Sequence, residues 1–295
     1  PATATVTIIA WTGPRLFTPC GATGQDGPEQ ADCDAAYLGS TLAGEVSVSA
    51  GYQAWTAPHS GDFRVQACGA QGASAATGYV GGKGACVEGT FALLAGEVTF
   101  IAVGQVGTGQ DSGSNGGGGG GSFFVAVDDT PLLIAGGGGG TRTSASNNGC
   151  DGLASAFGGQ GSGNSGVWSC TALTSGAGEG GAMSASSYGA GGAGFYSDGA
   201  DDDGGGTLFG TGGKSWLNGL TGGAASYGCG INAYGGFGGG GAGNGCAGGG
   251  GGGGYSGGQG GYIAGGAGSY NAGLDPVGAD GTNEGDGWVL IDLID

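Results

Sequence analysis

Eight cysteines and one histidine carry most of the chemistry this chain could attempt. The cysteines, Cys20, Cys33, Cys68, Cys86, Cys150, Cys170, Cys229 and Cys246, fall in successive pairs 13, 18, 20 and 17 residues apart. None forms a C-x-x-C pair, and with a single imidazole in the chain a zinc site lacks its ligands. The even count points instead to local disulfides, each cysteine with its neighbour in sequence, although spacing alone leaves the connectivity open. Such bridges restrict the unfolded chain by about 3 kcal/mol each for loops of this size, and they belong to oxidising compartments. The lone histidine, His59 in APHSGDF, has no nucleophile or acid at a recognisable spacing and reads as a surface residue in a turn.

Two further stretches invite a site. Asp198, Asp201, Asp202 and Asp203 in SDGADDDGGG are a weak calcium candidate, because carboxylate oxygens suit that ion. They lack the spacing of an EF-hand or a nonapeptide repeat, so a solvated loop is the simpler reading. GGKSWLNG, at 212–219, comes closest to a phosphate loop but lacks the spaced first glycine after a strand. No catalytic residue and no cofactor are expected, and the chain does not read as an enzyme. Phe195, Tyr196, Phe209, Trp216, Tyr227, Tyr234, Phe237, Tyr255, Tyr262 and Tyr270 punctuate the glycines. Such rings stack on sugars, but a glycine-rich region also needs apolar mass to dock onto its neighbours, and that is the reading adopted.

Charge narrows the partners. The net charge is −18, and Arg15, Arg64, Lys83, Arg142 and Lys214 are the only basic residues besides His59. Nothing displaces phosphate counterions, so nucleic acid is excluded as a partner, and anionic membranes for the same reason. Apolar runs such as TFIAVG and WVLIDLI fall far short of the roughly 20 residues a spanning helix needs, so no membrane insertion is expected. No N-x-S/T sequon occurs. The sequence opens on Pro1 without a leader and reads as a mature, processed or partial chain.

The elements that must position these residues are unusual. Of 295 residues 85 are glycine and only 7 proline. The glycines run unbroken at 116–121, 136–140 and 248–254, which excludes the every-third-residue pattern of collagen. Polyglycine can instead form a left-handed helix of three residues per turn with no internal hydrogen bonds. Without side chains such helices approach closely and satisfy one another's amides, giving an interior made of backbone. Around the glycines lie strand-like segments, among them EVSVSAGYQAW, DFRVQACG, GTFALLAGEVTFIAVGQ, GSFFVAV, TPLLIAGG and DGWVLIDLID. Asp128–Pro131 reads as a turn with proline inside it, and Pro28–Leu38 as the one short helix. The expected fold is mainly β with very little α-helix. Residues 1–15 form a β arm, 16–110 and 271–295 a β-sandwich, and 111–270 a glycine-rich, polyglycine-helix region with interleaved strands.

The stretch FTPCGATGQDGPEQADCDAAY resembles the opening of the glycine-rich domain of the anaplastic lymphoma kinase and leukocyte tyrosine kinase receptor family. The resemblance rests on Phe17, Cys20, Gly21, Thr23, Gly24, Gly27, Pro28, Gln30, Ala31, Cys33, Ala36 and Tyr37, and continues through FIAVGQVG, the paired glycine runs and DGWVLID. It covers about residues 16–292 and is weakest inside the runs, where low complexity matches anything. It implies a jelly-roll sandwich like that of tumour necrosis factor, an inserted hexagonal bundle of polyglycine-II helices, and an extracellular or cell-surface setting. The family's role in binding small helical cytokines has no recognisable motif here.

Residues 1–15 lie upstream of the resemblance. Thr3, Thr5 and Thr7 alternate with Ala4, Val6 and Ile8. The arm would pair within its own sandwich or be donated to a neighbouring subunit, with Thr3, Val6, Ile8, Ile9 and Trp11 as the assembly residues. The reading adopted is a secreted, self-assembling structural subunit of a fibre or surface layer, with further copies of itself as partner. The alternative is an extracellular binding or adhesion module for a protein or glycan.

Overall fold

A computed structural model describes residues 11–74, 78–109, 116–142, 148–163, 170–184, 188–204, 206–226, 232–243 and 248–294. The chain is mainly β, with antiparallel sheets and one α-helix among these residues. One sheet has five strands in the order β1 (Arg15–Phe17), β13 (Trp288–Leu293), β4 (Gly61–Cys68), β5 (Gly84–Leu93) and β12 (Leu274–Asn283). The other has six: β11 (Tyr270–Asn271), β8 (Pro131–Ala135), β7 (Ser122–Ala126), β6 (Val98–Ala102), β3 (Tyr52–Thr56) and β2 (Val46–Ser49). A small hairpin of β9 (Asp202–Gly204) and β10 (Thr207–Gly210) lies apart.

Side-chain alternation decides which faces are covered. In β4, Phe63, Val65 and Ala67 point inward and meet Val289 and Ile291 of β13, while Asp62 and Arg64 are exposed. One face of the five-stranded sheet is therefore wet. The six-stranded sheet is covered on both faces. Phe124, Leu133, Ile101 and Trp55 enter the core between the sheets. Phe123, Val125, Ile134 and Ala102 point the other way and meet Phe195, Trp216, Leu220 and Phe237 from the glycine-rich region. That is why SFFVA and PLLIA read as unbroken apolar runs.

The expected short helix is present as α1 (Gln30–Ala36), opened by a capping box between Glu29 and Asp32 and tied down by the Cys20–Cys33 disulfide. The β7–β8 turn differs from its expectation. It closes over Ala126–Asp129, with Asp129 in the left-handed region, and Pro131 opens β8 instead of sitting inside the turn. Proline at the first position of a strand needs no ladder donor there.

Strands β4, β6, β7 and β8 each run directly into or out of glycine segments, so the two regions interlock across residue 110. These segments belong to no helix or sheet, and their amides bond sideways with a repeat of three. Along 116–121, the N–H groups of Gly116 and Gly119 donate to Thr141 and Gly138. Those of Gly117 and Gly120 donate to Thr108 and Gln105, and those of Gly118 and Gly121 to Gly241 and Gly238. The run 249–254 repeats the arrangement with three other neighbours: Gly250 and Gly253 donate to Gly116 and Gly119, Gly251 and Gly254 to Ala190 and Ala193, and Gly249 and Gly252 to Gly261 and Gly265. All of these glycines are buried, and buried backbone groups need partners. There is no room for anything larger: a Cβ on Gly120 would collide with the Phe237 carbonyl, and one on Gly252 with that of Gly137.

Candidate functional site

The root of the N-terminal arm sits on β1, an edge strand of the five-stranded sheet. Arg15 is only 2% exposed although it sits on an edge strand. Its Nε and Nη2 donate to the two carboxylate oxygens of Glu45, both at 3.1 Å, and its Nη1 donates to the Gly13 carbonyl at 2.6 Å. The guanidinium also lies 4.1 Å from the centre of the Trp11 ring. A two-pronged carboxylate pair and a ring face suit arginine and not lysine. Gly13, at φ +122°, makes the bend that brings Trp11 back over Arg15 and edge-on to Phe63 at 5.7 Å.

The register of this edge limits what the arm can pair with. Arg15, Leu16 and Phe17 lie opposite Ile291, Leu290 and Val289. By the same register Pro14 and Gly13 fall opposite Asp292 and Leu293, and β13 ends at Leu293. β4 begins at Gly61, two residues beyond the Phe63–Leu293 pair, and β5 ends at the same level. Among the described residues, Trp11 and Thr12 lie upstream of the β1–β13 pairing. Of the five arm residues singled out from sequence, Trp11 packs here, and Thr3, Val6, Ile8 and Ile9 lie outside the described residues.

The remaining edges are treated differently. The outer edge of β2 is closed by a side chain: the Gln30 amide accepts from Val48 N–H at 2.6 Å and donates to the Val46 carbonyl at 3.2 Å, as a neighbouring strand would. At the far end of the five-stranded sheet, β12 is ten residues long and exposed from Leu274 through Asp280.

Other residues flagged by sequence have structural employment. Three disulfides join nearest neighbours, Cys20–Cys33, Cys68–Cys86 and Cys150–Cys170. Cys229 and Cys246 lie outside the described residues. The four aspartates face separate partners. Asp198 accepts from Lys214 Nζ, Ser215 N–H and Asn218 Nδ2, Asp201 from Gly212 N–H, and Asp202, fully buried, from Gly189 N–H. Asp203 stands opposite Leu208 in the β9–β10 hairpin. Burial alone would raise the Asp198 pKa, but the donors from Asn218, Ser215 and Lys214 outweigh it and hold it at about 2. Among the described residues no group of His, Cys, Asp and Glu is placed to hold a metal.

His59 is half-buried against Trp11 rather than on the open surface. Phe195, Trp216 and Phe237 dock onto the six-stranded sheet with Tyr255 and Tyr270 beside them, and Tyr262 lies beneath Arg142. Tyr196 is largely exposed, Phe209 and Tyr234 are half-buried, and Tyr227 lies outside the described residues. The Arg15–Glu45 pair and the Gln30 plug carry no local signal, because their partners are 30 and 16 to 18 residues away.

No family model matches the chain. A stretch of 99 residues is 37% identical to the leukocyte tyrosine kinase receptor of Mus musculus, covering 32% of this chain and 11% of that receptor. The chain thus spans about a tenth of the relative's length. This local likeness to a receptor, with three disulfides, fits an extracellular setting. Among the described residues no helix is long and apolar enough to cross a membrane.

Proposed function

We propose that the chain is an extracellular structural subunit that assembles head to tail, each copy donating its N-terminal arm to the next. The observation that carries this is the register at the arm root. The alternating sequence of residues 1–10, uncharged in its side chains, joins the edge strand β1 upstream of its pairing with β13, at a bend locked by Arg15, Glu45 and Trp11. A heterologous contact of that kind builds a filament when its rotation does not close on itself.

The glycine-rich interior supports a structural role. The three-residue alternation of partners is what polyglycine-II helices packed side by side would produce. Such an interior is a network of hydrogen bonds in three directions around each run, with little that can slide. The acidic surface keeps free subunits apart in solution.

The test is a full-length chain carrying Val6→Asp and Ile8→Asp. Wild-type protein should form filaments visible by electron microscopy, and the variant should remain monomeric in sedimentation with an unchanged circular dichroism spectrum. Wild-type protein that stays monomeric at every concentration overturns the proposal.

The likeness to a receptor favours a second reading, an extracellular binding module. A groove of about 410 Å3 lined by Tyr52, Phe100, Asp129, Trp216 and Leu217 at the junction of sheet and glycine region is where a ligand would sit. Leu217→Lys in that groove should leave filaments intact under the first reading and abolish ligand capture under the second.

A further inference from the structure

We infer that the acceptor for the donated arm is the outer edge of β12 together with the apolar groove beside it, the occupant being residues 1–10 of a second copy. The inference rests on the assembly reading above and assigns its second half. Three observations carry it.

First, β12 closes the five-stranded sheet at the end opposite β1, and no strand pairs with its outer edge among the described residues. Leu274 is 72% exposed and Val277 62%. The strand is nevertheless held in place, because Asp280 accepts from Ala154 N–H at 2.6 Å and Gly281 N–H donates to Gly152. An anchored, exposed edge is a template for strand addition. Pro276 and the register shifts on either side of Val277–Ala279 interrupt the edge, so it discourages indiscriminate pairing while leaving that central stretch in regular register with β5.

Second, Val277 and Ala279 lie opposite Glu88 and Cys86, on the same outward face as the Cys68–Cys86 disulfide and Trp288. Together they border a groove of about 240 Å3 whose walls are mostly apolar. Trp288 is fixed there by its Nε1–H donating to Asn283 at 3.2 Å. A strand added beside β12 directs every second side chain to the same sheet face as this groove, next to Val277 and Ala279 at its rim. Ala4, Val6 and Ile8 supply that face, and Thr3, Thr5 and Thr7 the other.

Third, length and charge match. Ten arm residues extend roughly 33 Å at about 3.3 Å per residue, more than enough to cover the regular stretch Val277–Ala279 of β12. The arm carries no charged side chain, whereas β12 bears Asp275 and Asp280 on a molecule of net charge −18. A neutral guest adds no like-charge repulsion at that edge. Donor and acceptor lie on opposite edges of one sheet, so the added strand would join the sheets of successive copies.

The experiment uses two full-length variants, one with Val6→Asp and Ile8→Asp in the arm and one with Val277→Lys and Ala279→Lys on the exposed acceptor. Each alone should lose polymer completely. Mixed in equal amounts, the arm variant still accepts and the β12 variant still donates, so the mixture should give a discrete 1:1 complex and no filament. A β12 variant that polymerises like wild type, while the arm variant does not, overturns this acceptor and leaves arm donation standing. An arm variant that polymerises normally overturns donation itself. A photocrosslinking side chain at position 277, in a mixture of isotopically light and heavy subunits, should link to residues 1–10 of another subunit. A link within one subunit, or to any other segment, overturns the inference.

Discussion

The molecule has two interiors built on opposite terms. Between the sheets, Phe17, Trp55, Phe63, Phe124, Ile101 and Leu133 interdigitate as in any sandwich, and stability follows apolar area removed from water. Among the glycine runs the contacts are amide to carbonyl, fixed in three directions, and side chains are excluded. The first interior fails when volume is removed. The second fails when volume is added, because a displaced backbone cannot change rotamer to make room.

The sharpest way to break this contrast is a single methyl group. Gly120→Ala pushes a Cβ into the Phe237 carbonyl and should cost more than about 3 kcal/mol, beyond the usual range for overpacking. Val65→Ala, which removes two methyls from the sandwich core, should cost about 2 kcal/mol. Denaturant midpoints for the two variants decide it. A Gly120→Ala protein as stable as wild type would mean that the glycine interior yields like a side-chain core.

Disulfides should be blind to the difference. Cys150–Cys170 sits in the glycine-rich region and Cys20–Cys33 in the sandwich, with loops of 20 and 13 residues. Because a bridge acts chiefly by restricting the unfolded chain, replacing either pair by serine should cost about 3 kcal/mol. Calorimetry showing one loss several times the other would tie bridge strength to the surrounding interior.

The smallest effect concerns acid. Asp198 is held at about 2 in the folded protein, below its ordinary 3.8. A depressed carboxyl contributes stability above the unfolded value, and that contribution is lost as pH falls from about 4 through 2. Asp198→Asn should flatten the acid limb of the stability profile by lowering stability at neutral pH while leaving it nearly unchanged near pH 2, where the carboxylate's contribution is already lost.

How much of this could be read from sequence depends on whether side chains were present to report it. DFRVQAC alternates because one face of its sheet is wet, and SFFVA does not because both of its faces are covered; both strands were legible for those reasons. The three described disulfides follow the nearest-neighbour reading. The partner of each glycine amide was not legible, since a run such as 116–121 carries nothing that distinguishes one neighbour from another. At the candidate site the alternation of the arm was visible, but the bend at Gly13, the burial of Arg15 on Glu45 and the end of β13 at Leu293 depend on contacts distant in sequence. The exposure of β12 was equally hidden, because nothing in LDPVGADGTN shows that it closes a sheet.

The repeat of three among the glycine amides also sets how this region can diverge. Any single-base change in a glycine codon that alters the residue adds a side chain, and where a Cβ would meet a carbonyl such changes should be purged. Inserting one residue turns every later amide toward the wrong neighbour, whereas inserting three restores the pattern. Related chains should therefore differ in these runs by length, in steps of three, more readily than by substitution.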